Sequence, residues 1–191
     1  MNDTELIGLL IENDPQAFRI LVEKYQDMVF RTSMGLLHDK EEAEDISQEV
    51  FIEVYKSIGY FRGEAKLSTW LYRVTINKSL NELKKIQRQK AWSRFEDIIK
   101  GKKDEKKELS IPDRSSENQA ESQELALILQ RAIDELPENQ RIAFVLAKYD
   151  ELSYKEIAEI MTSTVSSVES LVHRAKANLQ KRLQKIHDTY Y

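Results

Sequence analysis

Residues 153–186 read SYKEIAEIMTSTVSSVESLVHRAKANLQKRLQKI and predict two helices separated by a short polar turn. Ser153 and Glu156 have the spacing of a capping box, which opens the first, shorter helix. The polar turn, residues 162–164, separates it from a longer helix that begins at Val165. The inward stripe of the longer helix consists of apolar residues at helical spacing: Val168, Val172, Ala175, Leu179, Leu183 and Ile186. These proportions are typical of a helix-turn-helix.

The outward face of the longer helix is polar and suits contact with DNA. It carries Ser166, Ser167, Ser170, His173, Arg174 and Lys181. Small hydroxyls near a helix N-terminus let the backbone approach phosphates and base edges, and an arginine binds phosphate or guanine. Residues 173–187 contain five basic side chains and no acidic one. An antiparallel helical hairpin with a merely solvated outer face explains the same pattern equally well.

A polar segment divides the chain into two parts. Residues 101–124 read GKKDEKKELSIPDRSSENQAESQE, and only three of them are apolar. Such a segment cannot bury enough apolar surface to offset the entropy lost on ordering it, so we expect a flexible linker over residues 96–122. The linker would join two small helical domains, residues 1–95 and 123–191.

The composition excludes several classes of protein. The 191 residues include 29 Lys and Arg against 33 Asp and Glu, five Gly, three Pro and no Cys. Without cysteine there are no disulfides, thiolate zinc sites or iron–sulfur clusters, which fits a reducing compartment. The three His lie far apart, so we expect no metal and no cofactor. No membrane-spanning stretch or signal peptide is recognisable, and we expect an all-α, cytoplasmic protein without membrane insertion.

Three helices are predicted in the N-terminal domain. The first begins at Pro15 and is interrupted at residues 38–40. Asp39 caps the second helix, whose buried face is Ala43, Ile46, Val50 and Val54. After a loop, Ser68 caps the third and longest helix, which reaches about Gln89.

The third helix carries a stripe that suits melted DNA. Aromatic, amide and cationic side chains recur there at intervals of three or four residues: Trp70, Arg73, Asn77, Asn81, Lys84 and Arg88. From Arg73 to Lys90 there are six basic residues and one acidic residue. Unpaired bases stack on aromatic rings and phosphates require cations, so the stripe is compatible with single-stranded DNA. Taken alone, it is better explained by a packed Trp70 and a solvated basic face.

The second helix has an acidic outward face. Residues 39–53 hold seven acidic residues and one Lys, and Asp45, Gln48, Glu49 and Ile52 share the outward face. An exposed isoleucine among carboxylates is typical of a protein interface, where the apolar contact gives affinity and the charges give register. Acidic residues near a helix N-terminus are also favoured by the helix dipole, and this simpler explanation is preferred on these residues alone.

The sequence gives little support for an enzyme. It contains no glycine-rich phosphate loop, no GxSxG and no HExxH. Carboxylates are plentiful, but no pair of them is distinguished by its surroundings. We therefore expect no catalytic residues.

Read together, six motifs resemble a known family. They are DPQAF at residues 14–18, EDISQEVF at 44–51, FR at 61–62, LSTWLYRV at 67–74, LPENQR at 136–141 and HRAK at 173–176. In this order and spacing they resemble the extracytoplasmic function (ECF) group of the sigma-70 family. The resemblance covers residues 15–90, the family's region 2, and residues 125–186, its region 4.

The resemblance implies a function and a role for each surface. It implies a non-enzymatic promoter-specificity subunit that binds the β and β′ subunits of core RNA polymerase and promoter DNA, and that has an anti-sigma factor as a partner. Residues implied to dock on the polymerase are Asp45, Gln48, Glu49, Phe51 and Ile52. Residues implied to melt and read the −10 element are Tyr60, Phe61, Arg62, Trp70, Arg73, Asn77, Asn81 and Lys84. Residues implied to read the −35 element are Ser166, Ser167, Ser170, His173, Arg174 and Lys176.

Two other functions remain open on the sequence. A stand-alone helix-turn-helix regulator would bind an operator tightly without polymerase, with residues 1–90 as a sensor or dimerisation domain. A helical adaptor would bind only proteins, and Arg73, Asn77 and Arg174 would then be dispensable.

Overall fold

The computed structural model of the chain describes residues 2–99 and 117–190. Within these residues the regular structure consists of eight α-helices and a 3₁₀ turn over Ile58–Tyr60, without any strand. The helices are α1 (Asp3–Ile11), α2 (Pro15–Leu37), α3 (Lys40–Ser57), α4 (Leu67–Ile99), α5 (Glu117–Asp134), α6 (Glu138–Lys148), α7 (Tyr154–Ile160) and α8 (Val165–Tyr190). The predicted all-α fold class is confirmed. None of the described helices combines the length and the apolarity that a bilayer crossing requires.

Local caps explain why α2 and α3 begin and end where they do. The Asp14 carboxylate accepts a backbone N–H from the first turn of α2 at 2.8 Å, and Pro15 needs no such partner. His38 ends α2 in the left-handed region, with φ of 56°. Asp39 then accepts the N–H of Glu42 at 3.1 Å and starts α3. The predicted interruption at residues 38–40 is therefore confirmed.

Helix α1 adds an element that the sequence prediction did not include. Asn2 accepts the N–H of Glu5, and the Glu5 carboxylate accepts the N–H of Asn2, which is a complete capping box. Leu6 and Leu10 are each only 2% exposed, so they anchor the helix on the domain. The capping-box spacing is readable in the sequence and could have revealed this helix.

The N-terminal domain, α1 to α4, packs around one apolar core. Each of the four residues predicted on the buried face of α3 is buried. The core also contains Leu21 and Val29 from α2 and Leu67 and Leu71 from α4, all at most 1% exposed. Fully burying such a side chain stabilises the fold by about 1.5–3 kcal/mol. This core fixes the angles at which α3 and α4 present their outer faces.

The C-terminal domain, α5 to α8, contains the predicted helix-turn-helix. Ser153 and Glu156 form the expected capping box at the start of α7. Thr164 Oγ1 accepts the N–H of Ser167 at 3.2 Å, which supports the first turn of α8. Along the predicted inward stripe, Val168, Val172, Ala175 and Leu179 are buried and Leu183 packs half-buried against them; the side chain of Ile186 lies outside the described part of the chain.

The boundaries around the predicted linker differ from the expectation. α4 begins at Leu67 rather than after a Ser68 cap, and it continues to Ile99, about ten residues beyond the predicted end. α5 begins at Glu117, inside the segment predicted as linker. Residues 100–116, where most of that prediction falls, lie outside the described residues.

The two domains pack against each other, which the sequence did not predict. Leu36, Tyr72, Ile76 and Leu80 from the N-terminal domain share one apolar cluster with residues of α6, α7 and α8. The α6 to α8 residues of that cluster include Val145, Leu146, Ile157 and Val168, each buried. Gly35 allows α2 and α6 to approach closely, since a Cβ at this position would lie 2.8 Å from Val145 Cγ1.

Candidate functional site

The acidic outward face of α3 is presented as predicted. Asp45, Gln48 and Glu49 are exposed, and Ile52 exposes 51% of its surface between them. One member of the face is anchored to the neighbouring helix, because Lys78 Nζ of α4 donates to Glu49 Oε2 at 3.3 Å. The face therefore combines an exposed aliphatic side chain with carboxylates held on rigid helices, as a docking surface requires.

Phe51 does not belong to that face. Its side chain is only 7% exposed and packs in the core of the N-terminal domain. The residue neighbours Val50 in the sequence, and both point inward from α3. Direct polymerase docking by Phe51 is inconsistent with this position, and its contribution is to hold the helix that presents the acidic face.

The loop between α3 and α4, together with the first turn of α4, exposes one aromatic ring and partly buries two others. Tyr60 is 85% exposed, and Arg62 is exposed beside it. Phe61 and Trp70 contact each other with ring centroids 5.2 Å apart, and both pack against the domain core. The ring available for stacking on a base is therefore Tyr60, whereas Phe61 and Trp70 mainly fix the loop.

Two cations of the predicted −10 stripe are engaged by the C-terminal domain. Arg73 Nε donates to the carbonyl of Ile160 at 3.0 Å, and its Nη2 donates to the carbonyl of Glu159 at 2.7 Å. These carbonyls end α7, where the helix dipole is negative. Lys84 Nζ lies 2.9 Å from the Glu138 carboxylate of α6.

Between these two cations the amides of the stripe remain accessible. Asn77 and Asn81 are both exposed on α4. The structure thus brings the predicted stripe onto one side of the helix but divides it, with Asn77 and Asn81 open and the flanking cations Arg73 and Lys84 in contact with the other domain.

The outer face of α8 is open over most of its length. Ser166, Ser170, His173, Arg174 and Lys176 are exposed, whereas Ser167 is half-buried. Arg174 Nε donates to the carbonyl of Ser170 at 3.2 Å, which lays the guanidinium along the helix surface. The turn before α8 is closed by the N–H of Ser163, which donates to the carbonyl of Ala158 at 2.9 Å.

A buried carboxylate at the domain interface was missed by the sequence analysis. Asp150 accepts hydrogen bonds from Arg31 Nε and from Thr32 Oγ1, each at 2.9 Å. Burial raises the pKa of the Asp150 carboxyl, while the bonds from Arg31 and Thr32 act in the opposite direction. Burial, and then the Asp150 charge, raise the pKa of the nearby Tyr72 hydroxyl to about 12. No periodic signal marks Asp150, because its partners lie in another domain.

A second polar group joins the domains at the end of α2. His38 Nε2 lies 3.6 Å from Asp134 Oδ1, and the Arg141 guanidinium donates to the Asp134 carbonyl. Burial lowers the pKa of His38, Arg141 lowers it further, and the Asp134 charge opposes both. Within residues 2–99 and 117–190, no group of three or more His, Asp or Glu side chains is arranged to hold a metal ion.

Comparison with protein families gives two matches. Residues 21–89 match the family model described as Sigma-70 region 2. Residues 126–179 match the model described as Sigma-70, region 4. The first match covers most of α2, all of α3 and most of α4, and the second covers the second half of α5, all of α6 and α7, and over half of α8.

Two curated proteins align with almost the whole chain. The chain is 34% identical over 187 residues to the RNA polymerase sigma-H factor of Pseudomonas aeruginosa, covering 96% of this chain and 95% of that protein. It is 34% identical over 190 residues to the ECF RNA polymerase sigma-E factor of Escherichia coli, covering 97% and 96%.

Two solved structures share the fold. CnrH, solved in complex with the cytosolic domain of CnrY, superposes with a TM-score of 0.65 at 19% identity, covering 96% of this chain and 97% of CnrH. The sigma factor RpoE, solved in complex with the anti-sigma factor NepR from Bartonella quintana, superposes with a TM-score of 0.58 at 20% identity, covering 87% and 96%.

Proposed function

Because the chain belongs to the sigma-70 family and to its ECF group, we propose that its three exposed surfaces divide the contacts of promoter recognition among them. As a sigma factor it is a non-enzymatic subunit that directs RNA polymerase to promoters. Its partners are core polymerase and promoter DNA.

The acidic face of α3 docks on core polymerase. The observation that carries this assignment is the exposed Ile52 among Asp45, Gln48 and Glu49, on a helix whose opposite face is buried in the core. An apolar contact surrounded by carboxylates suits a basic surface with its own apolar patch, which we assign to the β′ subunit. Because α3 is rigid, the face is already in its binding shape and little ordering entropy is lost on docking.

The two DNA elements are assigned to α8 and to the loop with α4. The exposed Ser166, Ser170 and Arg174 support duplex readout of the −35 element, since the first turns of α8 are free to enter a groove. Tyr60, Asn77 and Asn81 support capture of unpaired −10 bases by stacking and amide hydrogen bonds. Unpairing and flipping a base costs a few kcal/mol, which these contacts offset.

The net charge of −4 fits a subunit that depends on polymerase for DNA binding. Neutralisation of phosphates dominates intrinsic affinity for DNA. A chain with more acidic than basic residues should therefore bind DNA only weakly without polymerase. Contact of Arg73 and Lys84 with promoter phosphates also requires them to leave the Glu159 and Ile160 carbonyls and the Glu138 carboxylate. We assign the site of action to the cytoplasm, where core polymerase and DNA meet, and we propose an anti-sigma factor as a further partner, as in the complex of RpoE with NepR.

The decisive experiment combines run-off transcription with a pull-down on purified core polymerase. Asp45→Arg with Glu49→Arg should abolish both core binding and promoter-directed transcription, because like charges then meet at a desolvated interface. Loss of the Lys78–Glu49 pair should leave the melting temperature nearly unchanged, since exposed ion pairs contribute about 0–1 kcal/mol.

A matched control makes the same change of total charge elsewhere. Glu12→Arg with Asp27→Arg reverses two exposed carboxylates, one at the C-terminal cap of α1 and one in α2, and should leave binding and transcription intact. If the α3 variant is folded and still binds core with wild-type affinity, the docking face is wrong. Wild-type protein that supports no promoter-specific run-off would refute the function itself.

A further inference from the structure

Helix α4 continues well beyond the matched family region and carries two exposed aromatic rings. The region 2 match ends at residue 89, whereas α4 ends at Ile99. Trp92 is 69% exposed and Phe95 is 55% exposed. Their ring centroids lie 6.0 Å apart with the planes tilted by 42°. Large aromatic side chains that face water as a pair mark a binding surface more often than a solvated helix face.

The segment of α4 that leads up to these rings is basic, and the acidic residues Glu96 and Asp97 follow the rings. Between Leu83 and Phe95 the sequence contains five basic residues and no acidic one. They are Lys84, Lys85, Arg88, Lys90 and Arg94. Aromatic rings interleaved with cations are the combination that binds single-stranded nucleic acid, where bases stack and phosphates are neutralised.

The rings also continue the stripe of α4 in register. Asn77, Asn81, Arg88, Trp92 and Phe95 follow one another at intervals that keep them on one side of a helix. At 1.5 Å per residue, Trp92 lies about 16 Å along the axis from Asn81. A strand held at Asn77 and Asn81 can therefore continue along the same side of α4 and reach the two rings.

We propose that Arg88, Trp92 and Phe95 form a second platform for single-stranded nucleic acid, on which bases stack and whose cations hold the backbone. The proposal rests on the proposed function in one respect, because it places the platform beyond the −10 contacts on the same strand. The rings of Trp92 and Phe95 offer a surface on which one base can stack. Arg88 lies one helical turn before Trp92. Arg88 Nε donates only to the Lys84 carbonyl of its own helix among the bonds described, so turning its guanidinium towards a phosphate displaces no tertiary contact.

A protein partner fits this surface less well. A helix that packed on α4 would require apolar residues at successive positions of the stripe over several turns. The positions one and two turns before Trp92 are instead occupied by the cations Arg88 and Lys84. Charge complementarity therefore favours a polyanion.

The test uses the tryptophan itself as the probe. The chain contains two tryptophans, so the emission lost in Trp92→Phe reports on Trp92. The full-length protein is titrated at low salt with oligothymidylate and with a duplex of the same length, and acrylamide accessibility is recorded. We expect the single strand to quench and shield the Trp92 component, the duplex to do so more weakly, and added salt to reverse the effect. Because both rings are already exposed, polymerase is not needed.

Variants distinguish the contribution of ring stacking to oligothymidylate binding from the contributions of charge and of correct folding. Trp92→Ala with Phe95→Ala should weaken oligothymidylate binding about tenfold, whereas Trp92→Phe should keep most of it because a ring remains. Gln87→Ala, on another side of α4, should bind like wild type, and circular dichroism checks that each variant is folded.

Each outcome bears on one conclusion only. An unchanged Trp92 signal with oligothymidylate overturns the platform even when run-off transcription succeeds. Quenching by core polymerase without DNA, and none by the oligonucleotide, also overturns it and identifies a protein contact. Quenching by the oligonucleotide, with no promoter-specific run-off, supports the platform and refutes the proposed function.

Discussion

Arg31 and Asp150 are 119 positions apart in the sequence and are joined by a 2.9 Å hydrogen bond between guanidinium Nε and carboxylate Oδ1. The two partners differ sharply in exposure, because the Arg31 side chain is 51% exposed and the Asp150 side chain is 0% exposed. Removal of either partner breaks the same bond. Only the removal of Arg31, however, leaves a charged group, the Asp150 carboxylate, buried away from water.

Arg31→Met should destabilise the protein more than Asp150→Asn. The first change leaves a buried carboxylate with Thr32 as its remaining partner and should cost about 2–3 kcal/mol. The second leaves a half-exposed guanidinium that water can solvate, and should cost about 1 kcal/mol. Urea unfolding of both single variants and the double variant measures the coupling, and the double variant should lose less than the sum.

The deficit of Arg31→Met should shrink at acid pH. The pKa of Asp150 is already raised above 3.8 by burial, and loss of the cation raises it further. The folded state then binds a proton that the unfolded state does not hold, so stability increases as pH falls through the folded pKa towards 3.8. Unfolding free energies at a series of pH values check this, and a deficit that is constant with pH would contradict it.

His38 should give the wild-type protein a stability slope of the opposite sign. Its pKa is lowered by burial, so below pH 6.5 the unfolded state gains a proton before the folded state does. Stability should therefore rise with pH through the window between the folded pKa and 6.5, and then level off. His38→Asn, which tolerates the left-handed backbone at this position, should remove that slope. A slope that survives in the variant would assign it to another group.

Gly35→Ala should destabilise the protein although the residue lies within α2. A Cβ there would lie 2.8 Å from Val145 Cγ1, and Val145 is fully buried and stiff, so the domains must shift apart. We expect a net loss of about 1–3 kcal/mol, as is usual for overpacking.

The matched control for this change is Gly8→Ala in α1. Among the described residues, no atom beyond the neighbouring backbone of α1 lies within 4 Å of a Cβ at Gly8, so this variant should be stabilised by up to about 1 kcal/mol through helix propensity alone. Thermal unfolding of the pair measures the packing effect directly, and equal shifts in both variants would show that the interface is not tightly packed in solution.

Arg174→Ala and Ser170→Ala should weaken promoter use chiefly through the −35 element. Loss of a base-edge contact costs about 1–3 kcal/mol. Gln180→Ala, which is exposed farther along α8, should have no effect. Run-off transcription on templates with and without a −35 element separates the contributions, and an equal loss on both templates would assign α8 another role.

Local features of the fold were predictable because their causes are local. The capping box at Ser153 and Glu156, the break at His38 and the inward stripe of α8 each depend on residues within a few turns. The domain interface was not predictable, because the fit of Gly35 against Val145 is a complementarity between distant segments with no periodic signal. For the same reason, the sequence indicated which residues share a stripe of α4 but not that Arg73 contacts α7.

With Arg73 in its proposed role at the −10 element, its contact with the end of α7 makes the chain an intramolecular competitor of the DNA. The Glu159 and Ile160 carbonyls occupy the donors that a phosphate would use, and they are tethered to the same chain. Their effective concentration does not fall on dilution. In that proposed role, we expect the apparent dissociation constant for a −10 strand to be raised by a fixed factor, the reciprocal of the fraction of molecules in which Arg73 is released.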